Sequence, residues 1–293
     1  MQHSANIVLG GVFHAATLFL VAAGLQLVFG VQKIVNLACG SFYALGAYFG
    51  VSMVTWALGA GAPQLLLLAI LLASGILLAA IGPVVERVLR TIYGRDESFQ
   101  MLLTFALVLM FEDIIRFFWG TSPHQMGNLY LVYGQLKAGG FTIPVYNLIV
   151  IAAGGLIAAL MGGMLQRTRF GRIVRATAEN PRMSAALGVA ITRVYMRVFT
   201  LGTALGTVGG ALVIPVTAAM SEMGIDLIVE AFAVVVIGGL GSMRGAFVGA
   251  LIVGVLRAVA IATYPEMEML AIYIIVIAVL VIRPAGLFAK AAT

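Results

Sequence analysis

The chain has little of what a soluble enzyme of its length uses. Of its 293 residues only 10% are charged, against about 25% in ordinary soluble domains, so there is too little polar surface to cover a water-exposed fold. One cysteine, Cys39, is present, which rules out a disulfide framework and any cysteine-built metal site. The three histidines, His3, His14 and His124, are not spaced as metal ligands. Neither HExxH nor GxSxG occurs, and there is no GxxxxGK[ST] phosphate loop. Any nucleotide hydrolysis linked to this chain therefore belongs to another polypeptide. Gly239-x-Gly241-x-x-x-Gly245 has the wrong spacing for a dinucleotide fingerprint and follows no strand–helix unit.

Apolar residues make up 62% of the chain and the mean hydropathy is +1.11, which identifies a polytopic membrane protein. A span needs about 20 apolar residues. Such runs predict helices near 7–30, 36–57, 64–85, 98–118, 145–166 and 198–219, then a glycine-interrupted stretch at 228–262 and a last span near 269–283. The first run, Ile7 to Phe29, has no basic segment before it, as expected of a retained helix and not a cleaved signal. The expectation is an all-α fold, one integral membrane domain over 1–293 with eight or nine transmembrane or re-entrant helices.

The net charge of +6 sits between spans and so marks orientation, not nucleic-acid binding. Lys33, then Arg87, Arg90 and Arg95, then seven arginines in 167–197 share one side, while the connections Gly59–Pro63 and Trp119–Pro144 hold only Lys137. The basic side faces the cytoplasm, which puts the N-terminus outside. Glycines at 238, 239, 241 and 245 argue against one unbroken helix. A hairpin turning near Arg244 also brings Arg283 and Lys290 to the cytoplasmic side.

GVQKIVNLACGSFYALGAYFG (Gly30–Gly50) and GGLGSMRGAFVGALIVG (Gly238–Gly254) echo each other: each has a bend followed by small residues four apart. Paired broken helices predict an inverted-repeat organisation with a transport pathway at the breaks, and nominate Asn36, Gly40, Gly239, Gly241 and Ser242. Close helix packing explains the same glycines equally well. Acidic residues are placed near the ends of spans. Glu112 and Arg116 form a structural i,i+4 pair beside Asp113, and Glu222, Asp226 and Glu230 read as solvated groups at an outer vestibule. Arg257 either snorkels or pairs with a carboxylate, and an arginine there can hold a substrate carboxylate.

The polar stretch RTRFGRIVRATAENPRMSAALGVAITRVYMR runs from Arg167 to Arg197. Asn180 can cap a helix whose first residue is Pro181. Met183, Leu187, Ile191, Val194 and Val198 fall at helical spacing, with Arg182, Arg193 and Arg197 off that stripe. A short amphipathic helix pair of this kind suits docking of a soluble partner, and a basic loop that only sets orientation is the alternative.

GLQLVFGVQKIVNLACGSFYALGAY (Gly24–Tyr48) resembles the N-terminal signature of the branched-chain amino acid permeases of ABC importers. FGRIVRATAENPRMSAALGVAITRVYMRVFTLG (Phe170–Gly202) is similar to their cytoplasmic loop, and GGLGSMRGAFVGALIVG and RPAGLF (Arg283–Phe288) fit as well. The likeness covers nearly the whole chain and is closer to the shorter of the two paired permeases. It implies half of a translocation pathway, a paired homologous or identical permease, two cytoplasmic ATPase subunits that bind the ATP and magnesium, and a periplasmic substrate-binding protein. No cofactor is expected in this chain. It also implies a coupling helix, with Glu179, Asn180, Pro181, Ala185, Ala186 and Gly188 against the ATPase. Cys39, where the family has His or a small polar residue, and the Glu112–Asp113 pair depart from the pattern and leave the exact amino acid open. Importers of urea, short amides or small carboxylates share the class. An ion-coupled transporter would instead need a carboxylate near the midplane.

Overall fold

The computed structural model describes residues 2–138, 141–283 and 286–288. Among these the fold is helical, as the apolar runs predict: α1 (Gln2–Gln32), α2 (Cys39–Gly59), α3 (Leu67–Leu78), α4 (Gly82–Leu89), α5 (Glu97–Trp119), α6 (Val145–Arg167), α7 (Arg169–Glu179), α8 (Pro181–Ala186), α9 (Ile191–Val213), α10 (Met223–Gly238), α11 (Met243–Thr263) and α12 (Glu268–Ile282). Six stretches of the described residues are long and apolar enough to cross a membrane: Ile7–Gln32, Cys39–Gly59, Gln64–Ile92, Val145–Arg167, Ile191–Val213 and Met243–Thr263. The third joins α3 to α4 through a 3₁₀ turn at Ala79–Ile81. At 16 residues, α10 is about 24 Å long, short of a bilayer core of about 30 Å.

Two boundaries differ from the sequence reading. The span expected at 198–219 is α9, Ile191–Val213. It starts earlier because the buried Val194 and Val198 continue one apolar face of a single helix. It stops earlier because Pro215 has no N–H to continue the helical ladder, although Ile214 keeps helical dihedrals. The connection 120–144 also carries an unforeseen two-stranded antiparallel hairpin, β1 (Gln135–Ala138) with β2 (Phe141–Pro144), in which Gln135 faces Pro144 and Leu136 faces Ile143.

The core forms around α9, which packs on α1, α2, α3 and α4. Lipid is as apolar as leucine, so burial alone does not join these helices; close backbone approach does. A Cβ on Gly24 would collide with the Gly202 carbonyl, and one on Gly46 with that of Thr207. The neighbours Gly24–Gly202 and Leu20–Gly209 make α1 and α9 antiparallel, whereas Gly46–Thr207 and Gly50–Ala211 make α2 and α9 parallel. In the stretch 228–262, Gly238 meets Gly245 and Val234 meets Gly249. It is thus an antiparallel hairpin of α10 and α11 that turns at 239–242, as the glycines and the charge bias anticipated. Arg283 directly follows α12, while Pro284, Ala285 and Lys290 lie outside the described residues.

Two glycine substitutions should have opposite effects. Gly46→Ala forces α2 off α9 and should cost about 1–3 kcal/mol, the scale of overpacking. In α6, Gly162 has nothing within 4 Å of an added Cβ, so Gly162→Ala should stabilise by up to about 1 kcal/mol through helix propensity. Thermal unfolding in detergent reads both, and a Gly46→Ala protein as stable as Gly162→Ala would refute the packing account.

Candidate functional site

The first break separates α1 from α2. Lys33 (φ 58°) is the one non-glycine residue with positive φ among the described residues, and 34–37 has no regular structure although Ile34 and Asn36 are buried. Non-helical backbone at membrane depth must be satisfied by protein. Asn36 Oδ1 accepts from the Ala38 N–H at 3.1 Å, the Cys39 N–H donates to the Asn36 carbonyl at 3.3 Å, and the Thr104 hydroxyl donates to the Val35 carbonyl at 3.4 Å. Asn36 thus serves its own turn. Gly40 gives α2 room against Gly224 at the start of α10.

The second break is the α10–α11 turn. Gly239 (φ 90°) and Gly241 (φ 83°) occupy the region that favours glycine. Gln26 of α1, 2% exposed, clamps them: its Nε2 donates to the Gly239 carbonyl at 2.9 Å and its Oε1 accepts from the Gly241 N–H at 2.6 Å. The Ser242 hydroxyl caps α11 by accepting from the Gly245 N–H at 3.1 Å. The Leu287 and Phe288 N–H groups reach the carbonyls of Ile237 and Gly238 at 2.9 and 3.2 Å, so the last turn of α10 is closed by the chain's own C-terminal segment. Sequence reading missed Gln26, because a polar residue in an apolar run shows no partner 213 residues away.

The arginine-rich stretch folds as the cap signals predict. Thr168 caps α7 through Gly171, and Asn180 Oδ1 accepts from the Met183 N–H at 2.9 Å with Pro181 opening α8. Gly188 (φ 85°) ends it. The expected stripe does not run on into α9. Met183 and Leu187, 59% and 80% exposed, face outward, while Val194 and Val198 are buried in the next helix. Of α8 only Ser184 is buried, so Asn180, Pro181, Ala185 and Ala186, with Gly188 just beyond, form an open surface. Beside α7, a crevice of about 560 Å³ is lined by Gln26, Arg175, Glu179, Gly241, Ser242 and Phe288 among others. Glu179 and the second break therefore share one cavity, whereas Asn36 and Gly40 lie apart in the core.

At the other end of α1, His14, Glu230 of α10 and Arg257 of α11 meet. His14 Nε2 is 2.6 Å from Glu230 Oε2, Arg257 Nε is 3.3 Å from Oε1, and Arg257 Nη1 is 2.9 Å from His14 Nδ1. The same guanidinium nitrogen is 3.1 Å from His14 Nε2, so it lies against the imidazole between its two nitrogens while Nε2 faces the carboxylate. This corrects the solvated reading of Glu230, which is 2% exposed because it sits two turns into α10 facing α1 and α11. Glu222 and Asp226 are exposed, as expected. The partner foreseen for Arg257 is present. The Glu112–Arg116 pair forms as well, and Arg116 is also 3.7 Å from Glu222.

Glu86, fully buried in α4, was not singled out from sequence. It accepts from Arg90 at 2.5 Å and from the Tyr93 hydroxyl at 3.1 Å. Burial, and then the Glu86 carboxylate, hold the Tyr93 phenol above its usual range. No group of three or more metal-binding side chains occurs among the described residues.

Residues 7–280 match the family described as branched-chain amino acid transport system / permease component. The chain is 25% identical to the high-affinity branched-chain amino acid transport system permease protein BraD of Pseudomonas aeruginosa, over 99% of this chain and 97% of that one. It is 25% identical to LivH of Escherichia coli, a permease protein of the same description, over 96% and 94%. With the ribose import permease protein RbsC of Escherichia coli it shares 27% identity over 89% and 81%. A match along nearly the whole chain, on a helical fold with two glycine breaks and an exposed arginine-rich helix pair, places this protein in the family of branched-chain amino acid transport permease components.

Proposed function

We propose that the chain is the membrane-spanning permease subunit of an ATP-driven importer of branched-chain amino acids, the work named for BraD and LivH. It pairs with a second, homologous or identical permease to complete the pathway and lies in the bacterial inner membrane with loop 167–197 and the C-terminus in the cytoplasm. In this reading α5, α10 and α12 are membrane-embedded beside the six longer spans, giving nine segments of which α10 is too short to cross alone. The two broken segments, 30–50 and 228–262, are the corresponding parts of an inverted repeat. Two cytoplasmic ATPases bind the ATP and magnesium, and a periplasmic protein delivers the substrate. The chain itself is not an enzyme.

The observation that carries the reading is α8. It presents Met183 and Leu187 to water among arginines, an apolar patch with a basic rim of the sort that marks a protein interface. The helix before it, α7, lines the crevice that holds the α10–α11 turn through Val174, Arg175, Ala178 and Glu179. A helix pinned between α7 and α9 moves as a rigid piece, so a push on α8 reaches Gly241 through Glu179 and the crevice wall. Rigid-body motion of this kind underlies alternating access.

Affinity purification of the tagged chain in mild detergent should recover an ATPase, and a stable complex without one would defeat the reading. Ala186→Asp or Gly188→Trp should leave the protein inserted and cut substrate-stimulated ATP hydrolysis about tenfold or more, the scale of losing a central interface contact. Normal stimulation would remove α8 from the interface. At the second break, Gly241→Leu strains a left-handed residue, at about 1–3 kcal/mol, and Gln26→Leu takes the side-chain acceptor from the Gly241 N–H and leaves the Gly239 carbonyl only the Ser242 N–H, at about 1 kcal/mol per lost bond. Both should depress uptake while the ATPase still co-purifies, and wild-type uptake in both would reduce the turn to packing.

A further inference from the structure

The ring of His14, Glu230 and Arg257 needs an explanation beyond stability. An ion pair taken out of water returns little net stabilisation compared with apolar packing, and ionisable residues within membrane helices mark substrate routes and relays. These three come from α1, α10 and α11, so no single helix requires them. They also border a cavity of about 240 Å³, further lined by Tyr43 of α2, Thr217 and Asp226. Thr217 and Glu222, in the connection after α9, open it at the end of the bundle opposite α8, the end from which an importer loads. The remaining wall is Val213, Ala218, Met220, Met223 and Leu227, and methionines adapt to apolar groups of varied shape.

Resting on the importer reading, we propose that this cavity is a transit subsite for a zwitterionic α-amino acid with an aliphatic side chain. The carboxylate is taken beside Arg257, the ammonium beside Glu230 and Asp226, and the side chain lies against Met220, Met223 and Leu227. A zwitterion exchanging into the Arg257–Glu230 pair replaces one ion pair by two, so neither the ligand's charges nor the site's are stranded in a low dielectric. A ligand with a carboxylate alone, or an amine alone, leaves one site charge without its partner and is rejected. His14 holds Glu230 in place from the third side and is a positioning residue.

The test uses the complete complex in proteoliposomes with its binding protein and labelled L-leucine. Arg257→Met and Glu230→Gln should each lower uptake about tenfold or more, the effect of one charge-assisted contact. The double variant Arg257→Glu with Glu230→Arg rebuilds an ion-pair strut with reversed polarity. It should not recover uptake, and recovery would show that the pair is only a strut and overturn the subsite. Thr217→Val and Asp226→Asn lie on the wall outside the ring and guard against misfolding of the ring variants. They should raise the leucine concentration for half-maximal uptake several-fold, and unchanged uptake in both overturns the proposal even if the ring variants do not assemble. A wild-type complex that assembles yet moves no branched-chain amino acid would instead sink the importer reading itself.

Discussion

Backbone hydrogen bonding in an apolar surrounding is the constraint on which the rest of this structure depends. Inside the helices it is met locally. At the two breaks it is not, and each break exists only because groups outside the helix ladders complete the set: the Asn36 amide and the Thr104 hydroxyl at the first, the Gln26 amide and the backbone N–H groups of Leu287 and Phe288 at the second. An unsatisfied amide in hydrocarbon costs several kcal/mol, so these few polar side chains decide where the chain can leave the helical path. The broken segments border the core and the crevice for the same reason: only there can protein groups stand in for water.

Close approach is the second requirement, and it works with the first. Gly24 against Gly202, and Gly238 against Gly245, bring backbones near enough for side chains such as Gln26 to reach across. Packing by small residues yields flat, well-matched helix faces that can shift as units. The fold thus joins a closely packed bundle around α9 to two locally irregular segments.

The arginine-rich stretch and the buried ring treat charge in opposite ways. The arginines around α8 are solvated, and their cost is small. Glu230 is enclosed, and the half-buried His14 and Arg257 beside it offset its charge. Open charge keeps its water, whereas enclosed charge in an apolar bundle needs partners.

Much of the architecture was legible in the sequence because it rests on local, one-dimensional signals. Apolar run length located the helices, of which six stretches among the described residues are long and apolar enough to span; the Asn180–Pro181 step located α8, and the glycines with the arginine bias located the α10–α11 hairpin. What was misread follows from signals that were local but incomplete. The stripe from Met183 to Val198 has helical spacing, yet Gly188 divides it, so its first part faces water and its second part the core. Glu230 reads as a loop-side acid because nothing near it in the chain shows that α10 begins at Met223. Contacts of Gln26 with Gly239, and of His14 with Glu230 and with Arg257, join residues more than 200 positions apart. No periodicity within a helix encodes such partners; they are fixed only when helix packing sets the depth and rotation of each span.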